Sequence, residues 1–143
     1  MLAWALSILI ACHSKARKVY SIDVNLVAVK LMQENARLNR VESIVVPILD
    51  DAKDAVTKHL QNVADRIAMP LPEKTFAYLD YAVTALKASS GSIHYWDFEH
   101  ASKNDEPVEK IKAKVDQKLL KLGVSFTVSL GELSDQLART GID

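Results

Sequence analysis

Short apolar runs alternate with helix-like segments about five times along this chain, and this alternation restricts its fold more than any other feature. Residues 18–24 (KVYSIDV) are rich in β-branched and aromatic side chains and predict a buried strand. Asn25 offers a helix cap, and residues 26–39 repeat apolar side chains at helical spacing. Further strands are predicted at residues 43–49, 66–69, 92–98 and 124–130, and further helices at 51–60, 73–88 and 107–122. Alternating strands and helices form parallel sheets covered on both faces, so the sequence predicts a doubly wound α/β fold.

Proline and glycine punctuate these segments. Pro47 falls inside the second predicted strand, and its missing N–H requires a position where the ladder needs no donor. Pro70 and Pro72 break the third strand for the same reason. Pro107 is suited to the first position of a helix, and Gly123 is suited to end that helix.

Composition bounds the class of protein. The chain has 143 residues, 49% hydrophobic and 25% charged, which is typical of one globular domain, and no linker or repeat divides it. Lysine plus arginine and aspartate plus glutamate both number 18, so the chain as a whole does not attract nucleic acid. Cys12 is the only cysteine, which excludes an internal disulfide and fits a reducing cytosol.

The first twelve residues (MLAWALSILIAC) are almost wholly apolar. They are fewer than the roughly 20 residues that cross a bilayer. The basic residues Lys15, Arg17 and Lys18 follow this run, whereas a signal peptide has its basic residues first. We therefore interpret the segment as a buried helix and expect neither export nor membrane association.

Acidic residues stand where the first two strands end, and ligands of doubly wound sheets bind beyond those ends. Asp23 is suited to accept hydrogen bonds from the vicinal hydroxyls of a ribose, or to cap the following helix beside Asn25. Either Asp50 or Asp51 is suited to accept from an adenine amino group, or to place negative charge at a helix N-terminus. Position alone leaves both pairs of alternatives open.

The third strand leads into Pro70, Leu71 and Pro72, a stiff loop suited to hold a flat base or simply to turn the chain. His94 lies on an apolar strand and is interpreted as a core residue. The histidines lack metal-ligand spacing and one cysteine cannot build a zinc cluster, so no metal site is predicted.

Four segments carry a resemblance through their order and spacing: KVYSIDVNLVAVKLMQENARLNRVE, VVPILDDAKD, ADRIAMPLPEKTFAYLDYAVTALK and GSIHYWDF. Together they resemble the tRNA guanine-N1-methyltransferase family of archaea and eukaryotes, over residues 7–98 and more loosely over the helix at Pro107. The resemblance implies a cytoplasmic enzyme with a Rossmann-like sheet of the class I methyltransferase type. Its cofactor would be S-adenosylmethionine and its substrate the guanine beside the anticodon of tRNA. A sister branch of the family transfers an aminocarboxypropyl group from the same cofactor in wybutosine synthesis.

The resemblance also implies roles for individual residues. Asp23 and Val24 would bind the ribose side of the cofactor, and Asp51 and Ala52 the adenine side. The loop of residues 70–72 (Pro70, Leu71 and Pro72) would lie beside the transferred group and the target base. The commonest family pattern has asparagine where Pro70 stands, and proline has no side-chain donor or acceptor, which points to a neighbouring subfamily with another substrate. The general base is unassigned and expected outside this segment.

The chain departs from the family at its front. Members begin the domain with a central strand and a glycine-rich turn of the type FAGVGPFSIPIA, whereas this chain has MLAWALSILIA and no glycine before Gly91. Trp4 would obstruct the backbone approach that those glycines permit. We therefore expect an incomplete sheet, a partial catalytic domain over residues 1–143, inactivity of the chain alone, and self-association through exposed sheet edges. A non-catalytic remnant or interaction module is the alternative outside enzymology.

Overall fold

A computed structural model describes residues 3–97 and 106–129 of the chain. The chain divides into two compact units, residues 1–97 and the remainder. This division into two units reflects only how compactly each part is packed. It does not test the prediction that residues 1–143 form one partial catalytic domain, which stays a prediction.

The first unit alternates helices and strands as predicted. In chain order they are α1 (Ala3–His13), β1 (Val19–Asp23), α2 (Leu26–Leu38), β2 (Val45–Leu49), α3 (Ala52–His59), β3 (Arg66–Met69), α4 (Pro72–Ala85) and β4 (Ser92–Tyr95). The predicted boundaries agree to within a few residues, except that β4 already ends at Tyr95 instead of continuing through residue 98. The α/β prediction is therefore confirmed for this unit.

The second unit contains α5 (Pro107–Lys121). The helix begins with a proline at its first turn, where no N–H is needed, and Gly123 follows it at a φ of +69°. The strand predicted at residues 124–130 is wrong, because residues 124–129 form no strand and residue 130 lies outside the described residues. An alternating pattern becomes a strand only beside a hydrogen-bonding neighbour, and the described residues provide none for this segment.

Helix α1 packs on one side only. Ile8 and Ala11 are buried in a core with residues of α2, and the hydroxyl of Ser7 donates to that of Ser21 in β1 at 2.8 Å. Leu9 is 55% exposed, so the prediction of a buried apolar helix is confirmed for one side and wrong for the other. Within the described residues, no helix has the length and apolar character required to cross a membrane.

Strands β1 and β2 form a parallel pair covered on both faces. On one face Val19 and Val45 pack against α1 and α2. On the other face Ile22 and Ile48 pack against α3. Because successive side chains of a strand point to opposite faces, helices lie on both sides of this pair, as a doubly wound sheet requires.

Strands β3 and β4 form a second parallel pair, covered on one face by α3 and α4. Ile67 and Ile93 are register partners on the covered face and are half-buried. Ala68 and His94 are partners on the opposite face, and both are exposed. The interpretation of His94 as a core residue is therefore wrong, since no helix of the described first unit packs over that side of β4.

The handedness of the crossovers orders the strands. Parallel strand–helix–strand crossovers are right-handed in about 98% of cases, so a change of face between two successive helices reverses the direction in which strands are added. Helix α2 lies on one face and α3 on the other, which places β3 beyond β1 rather than beyond β2. Helix α4 shares the face of α3, so β4 lies outside β3. Right-handed crossovers would correspond to the order β2–β1–β3–β4, whereas the described residues form two separate ladders, β1–β2 and β3–β4.

The hydrogen bonds show which strand edges are open. The N–H of Val19 donates to the carbonyl of Ile44, and the N–H of Asp50 donates to that of Asp23, so alternate residues of β1 from Val19 face β2. The peptide groups of Tyr20 and Ile22 therefore face the opposite edge. In the second pair, the N–H of Ser92 donates to the carbonyl of Asp65, so the peptide group of Asp65 faces β4. Because peptide groups alternate along a strand, those of Arg66 and Ala68 face away from β4. The edge of β1 at Tyr20 and Ile22 and the edge of β3 at Arg66 and Ala68 are called the open edges below. The incomplete Rossmann-like sheet predicted from the sequence is confirmed.

Pro47 supports this arrangement. It pairs in register with Ser21, but in a parallel ladder its nitrogen points to the outer edge of β2, away from β1. The expectation that Pro47 needs no N–H at its position is confirmed. The proline also prevents a further strand from pairing fully with the outer edge of β2.

Candidate functional site at the carboxyl ends of the strands

The predicted acids meet at one edge of the sheet. Asp23 ends β1 and is the register partner of Leu49, the last residue of β2. Asp50 follows directly, and its N–H donates to the carbonyl of Asp23 at 3.2 Å. Because each helix returns the chain to the same end of the sheet, Pro70 after β3 lies at this carboxyl edge as well.

Asp23 has one side-chain oxygen engaged. Its Oδ1 accepts from the N–H of Asn25 at 2.8 Å. The cap of α2 is Asn25 itself, whose side chain accepts from the N–H of Val27 at 2.9 Å. Asp23 is half-exposed, and no donor of the described residues reaches its Oδ2. The capping alternative therefore belongs to Asn25, and Asp23 keeps a solvent-facing acceptor at the strand end.

Exposed apolar side chains surround Asp23. Val24 is 64% exposed, and Leu26 and Val27 in the first turn of α2 are also exposed. Side chains of this kind are most often buried in soluble domains, and their concentration beside an acidic strand end indicates a contact surface. Such a surface suits the flat, weakly polar face of a sugar or base.

Asp51 connects two helices. It is the N-cap of α3, where its Oδ1 accepts from the N–H of Lys53 at 2.8 Å. Its Oδ2 accepts from the hydroxyl of Tyr78 in α4, also at 2.8 Å. Ala52, the next residue, begins α3 and is half-exposed. Asp51 is thus the cap of α3, and capping needs only the bond from Lys53. The bond from Tyr78 additionally links this carboxylate to α4.

These bonds shift both ionisations in the pair. The N–H of Lys53 and the hydroxyl of Tyr78 hold the pKa of Asp51 below its ordinary value, and the charges of Lys53 and Lys74 act in the same direction. The bond to Asp51 raises the pKa of Tyr78, and burial and the nearby charges of Asp51 and Asp54 raise it further. Asp51 is therefore an ionised carboxylate, and Tyr78 a protonated phenol, at neutral pH.

Lys53 also contacts the aromatic rings of α4. Its Nζ lies 4.9 Å from the ring centroid of Tyr78 and 5.9 Å from that of Tyr81. At these distances the ammonium is attracted to the negative ring faces. Tyr78 is held at its hydroxyl by Asp51 and at its ring by Lys53.

Asp50 is committed to other partners. Its Oδ1 accepts from the N–H of Asp51 at 2.9 Å, and its Oδ2 pairs with the ammonium of Lys58 at 3.2 Å. Of the two acids that follow β2, Asp51 is therefore the one with a specific contact to a second helix.

The backbone of the loop at residues 70–72 is held by a hydrogen bond from α4. Pro72 is the first residue of α4, and Leu71 before it is the N-cap, with a non-helical backbone at φ −109° and ψ 83°. The buried hydroxyl of Thr75 donates to the carbonyl of Leu71 at 2.7 Å. The side chain of Leu71 is 54% exposed, so the loop presents an apolar side chain on a restrained backbone.

The fourth strand ends in another phenol–carboxylate pair. The hydroxyl of Tyr95 donates to Oδ2 of Asp97 at 2.7 Å. Burial raises the pKa of Tyr95, and its bond to Asp97 raises it further. Trp96 between them is exposed. Within the described residues, no group of three or more histidine, cysteine, aspartate or glutamate side chains is arranged to hold a metal ion.

Sequence reasoning missed Lys53, Thr75 and Tyr78. Thr75 carries a weak signal, since threonine often bonds back to the carbonyl four residues earlier. Tyr78 carries none, because its partner lies 27 positions away. The predicted obstruction by Trp4 concerns a side chain outside those described.

Comparison with known proteins places these observations in a family. A family model described as the TRM5/TYW2 methyltransferase domain matches residues 3–123. The tRNA (guanine(37)-N(1))-methyltransferase Trm5b of Pyrococcus abyssi is 40% identical over 92 residues, which is 64% of this chain and 25% of that protein. The tRNA(Phe) (4-demethylwyosine(37)-C(7)) aminocarboxypropyltransferase of Methanocaldococcus jannaschii is 34% identical over 114 residues, 79% of this chain and 44% of that protein. The chain thus spans between a quarter and under half of these relatives.

Solved structures agree with the fold. The M. jannaschii TYW2 structure, in complex with AdoMet, superposes with a TM-score of 0.62 at 34% identity, over 78% of this chain and 49% of that chain. The M. jannaschii Trm5 structure, in complex with adenosine, gives a TM-score of 0.58 at 26% identity, over 71% and 28%. Because the family model covers most of its length, this chain belongs to the TRM5/TYW2 methyltransferase domain family.

Proposed function

We propose that this chain carries the nucleoside-binding part of an S-adenosylmethionine site and serves in the modification of tRNA. The observation that carries the proposal is the pair of carboxylates, Asp23 and Asp51, at neighbouring strand ends with acceptor positions still available. Vicinal ribose hydroxyls and an exocyclic amino group are donors, and ionised carboxylates are acceptors only. The cofactor's nucleoside end therefore matches the chemistry of this edge.

Each side chain has a distinct task in this proposal. Asp23 holds the ribose hydroxyls, with the exposed Val24 against the sugar. Asp51 faces the adenine edge, and Ala52 leaves room beside it because its side chain is a single methyl. Leu71, between Pro70 and Pro72, lies at the side where the acceptor base would approach. When bound, S-adenosylmethionine supplies an electrophilic carbon on a sulfonium, so the protein's contribution is mainly orientation.

The reaction we favour is methyl transfer to the N1 of guanine in tRNA. The 40% identity to the Trm5b of Pyrococcus abyssi supports it. A base must take the N1 proton, and we assign none of the described side chains to that step. We place this reaction in the cytoplasm, and the free, exposed Cys12 agrees with a reducing compartment.

Aminocarboxypropyl transfer is the second candidate. One observation favours it: the TYW2 structure superposes better than the Trm5 structure, with TM-scores of 0.62 and 0.58. The family resemblance adds that Pro70 stands where the methyltransferases most often have asparagine. Both reactions use the same nucleoside contacts, so the proposed site serves either. They differ in which sulfonium substituent faces the base.

Calorimetric titration of the chain with S-adenosylmethionine and with S-adenosylhomocysteine tests the proposal. We expect saturable binding of both ligands at a ratio of one per chain. Absence of binding at millimolar ligand would contradict the proposal and favour a non-catalytic remnant. Asp65→Asn is the control for a remote carboxylate, because Asp65 pairs with Lys87 at the surface.

A labelling experiment separates the two reactions. The chain is incubated with unmodified tRNA and with cofactor carrying label either in the methyl group or in the carboxyl group. Methyl transfer delivers only the first label to tRNA, and aminocarboxypropyl transfer only the second. Because no glycine stands before Gly91, we expect neither label from the chain alone, so each assay is repeated with the N-terminal portion of a full-length relative supplied.

A further inference from the structure

We infer that Tyr78 is a positioning residue that fixes the Asp51 carboxylate as an acceptor for a 6-amino purine and thereby selects adenine over 6-oxo purines. The inference rests on the proposed function, because it names the specificity of that same site. It goes further in assigning a role to α4, which supplies no predicted cofactor contact.

The first step concerns the orientation of Asp51. Its two oxygens are held from different elements, Oδ1 by the N–H of Lys53 in α3 and Oδ2 by the hydroxyl of Tyr78 in α4. The bond from the N–H of Lys53 alone fixes Oδ1 and still allows the carboxylate to rotate about the Cβ–Cγ bond of Asp51. The second bond removes that freedom, so both remaining lone-pair directions are set before any ligand arrives.

The second step concerns what the remaining positions accept. A carboxylate offers about four lone-pair sites, and Asp51 uses one on each oxygen. Because the ionised group has no proton to donate, a further partner must be a donor. The exocyclic amino group of adenine is a donor, whereas the 6-oxo group of hypoxanthine or guanine is an acceptor and would face negative charge. The carboxyl is ionised at neutral pH, and the lowered pKa of Asp51 extends this form to more acidic pH.

The third step concerns why Tyr78 keeps its place. Its ring is half-buried, and the Lys53 ammonium lies 4.9 Å from the centroid on one side. The ring of Tyr81 lies 6.4 Å away and is tilted by 52°, within the range of favourable aromatic pairs. These contacts hold the ring whether or not the hydroxyl is present. Tyr78→Phe should therefore remove the bond to Asp51 without removing the packing.

Two probes that differ only at the purine 6-position test the inference: S-adenosylhomocysteine and its 6-oxo analogue, S-inosylhomocysteine. Their dissociation constants are measured by calorimetry on the whole chain. For the wild-type chain we expect a preference for the 6-amino ligand of about tenfold, as for one hydrogen bond to a charged group. A merely structural tyrosine would shift both constants alike, so the ratio is the diagnostic quantity.

Three variants give the contrast. Tyr78→Phe should reduce the ratio to about threefold or less, since the carboxylate becomes free to rotate toward water. Asp51→Asn should abolish the ratio, because an amide offers a donor as well as an acceptor. Tyr81→Phe, which removes a hydroxyl from the same helix without touching Asp51, should keep the wild-type ratio. Circular dichroism confirms that each variant is folded.

The outcomes are distinguishable. Failure of the wild-type chain to bind S-adenosylhomocysteine would overturn the proposed function, and this inference with it. Binding by the wild type with an unchanged ratio in Tyr78→Phe would overturn the inference alone. Should Tyr78→Phe not fold, an unchanged ratio in Asp51→Asn would overturn it equally, because the selection is assigned to that carboxylate.

Discussion

The N–H of Asp50 donates to the carbonyl oxygen of Asp23 at 3.2 Å, and this bond joins the ends of β1 and β2. It brings two stretches of chain that the sequence separates by a whole helix into one edge. Asp23 keeps a side-chain oxygen toward solvent there, and Asp51 follows Asp50 directly. The candidate site therefore depends on a backbone ladder, which side-chain substitutions leave intact.

Asp23→Ala should weaken the binding of S-adenosylhomocysteine by about 1–3 kcal/mol, the usual cost of losing hydrogen bonds to a charged group. Calorimetry measures the change, with Asp65→Asn as the remote control. Unchanged affinity would mean that Asp23 only accepts from Asn25 and does not hold a ribose.

Asp51→Ala should lower the free energy of unfolding at pH 7 by about 1 kcal/mol, as for other N-caps replaced by alanine. The folded-state pKa of Asp51 lies below its ordinary value of 3.8. Its ionisation thus contributes stability that is fully present above pH 3.8 and is lost as pH falls through the folded-state pKa. Urea unfolding at several pH values from 7 down to 3 should show the two proteins converging. A difference that stays constant over this range would contradict the shift.

Tyr78→Phe and Tyr95→Phe should each remove a phenol that ionises late in an alkaline titration followed by ultraviolet absorbance. Both tyrosines have pKa values raised above the ordinary 10.0. A raised pKa means that the protonated form contributes stability below pH 10, which is lost as pH rises through the folded-state pKa. If either variant left the late phase of the titration unchanged, the hydrogen bond assigned to that tyrosine would be contradicted.

The amides of Tyr20, Ile22 and Ala68 should exchange with deuterium at least about tenfold faster than those of Ser21 and Ile48, since partnered ladder amides open only with the sheet. The first three face the open edges, and the last two face the β1–β2 ladder. Site-resolved exchange by NMR measures the difference at a concentration below that at which the chain associates, because pairing of strand edges between copies would protect the same amides. Equal protection would show that the edge amides have partners.

The chain should elute larger than a monomer in size-exclusion chromatography at micromolar concentration. Open strand edges and the exposed Leu9 of α1 are the surfaces that favour association. Leu9→Lys should shift the elution toward the monomer by adding charge to that helix. A wild-type chain that elutes as a monomer would contradict the expectation.

Local signals predicted much of the fold because they act within one turn or one strand. Asn25 caps α2, Pro72 and Pro107 begin helices, and Pro47 turns its nitrogen away from the ladder, as their chemistry requires. The same kind of signal failed at residues 124–130, where alternation is present but no neighbouring strand is described. It failed at His94 as well, because an apolar strand does not reveal whether a helix covers both of its faces.

By itself, the sequence determined the order of elements and the placement of Asp23, Asp51 and the proline loop at strand ends, since these follow from periodicity and residue type. The family came from the resemblance of four segments in their order and spacing. Only the tertiary structure decided that His94 lies on an exposed face of β4, and that Tyr78 reaches Asp51. Both depend on how whole elements pack against one another. A hydrogen bond between residues 27 positions apart forms only when two helices dock at one angle and register, and no local pattern encodes that.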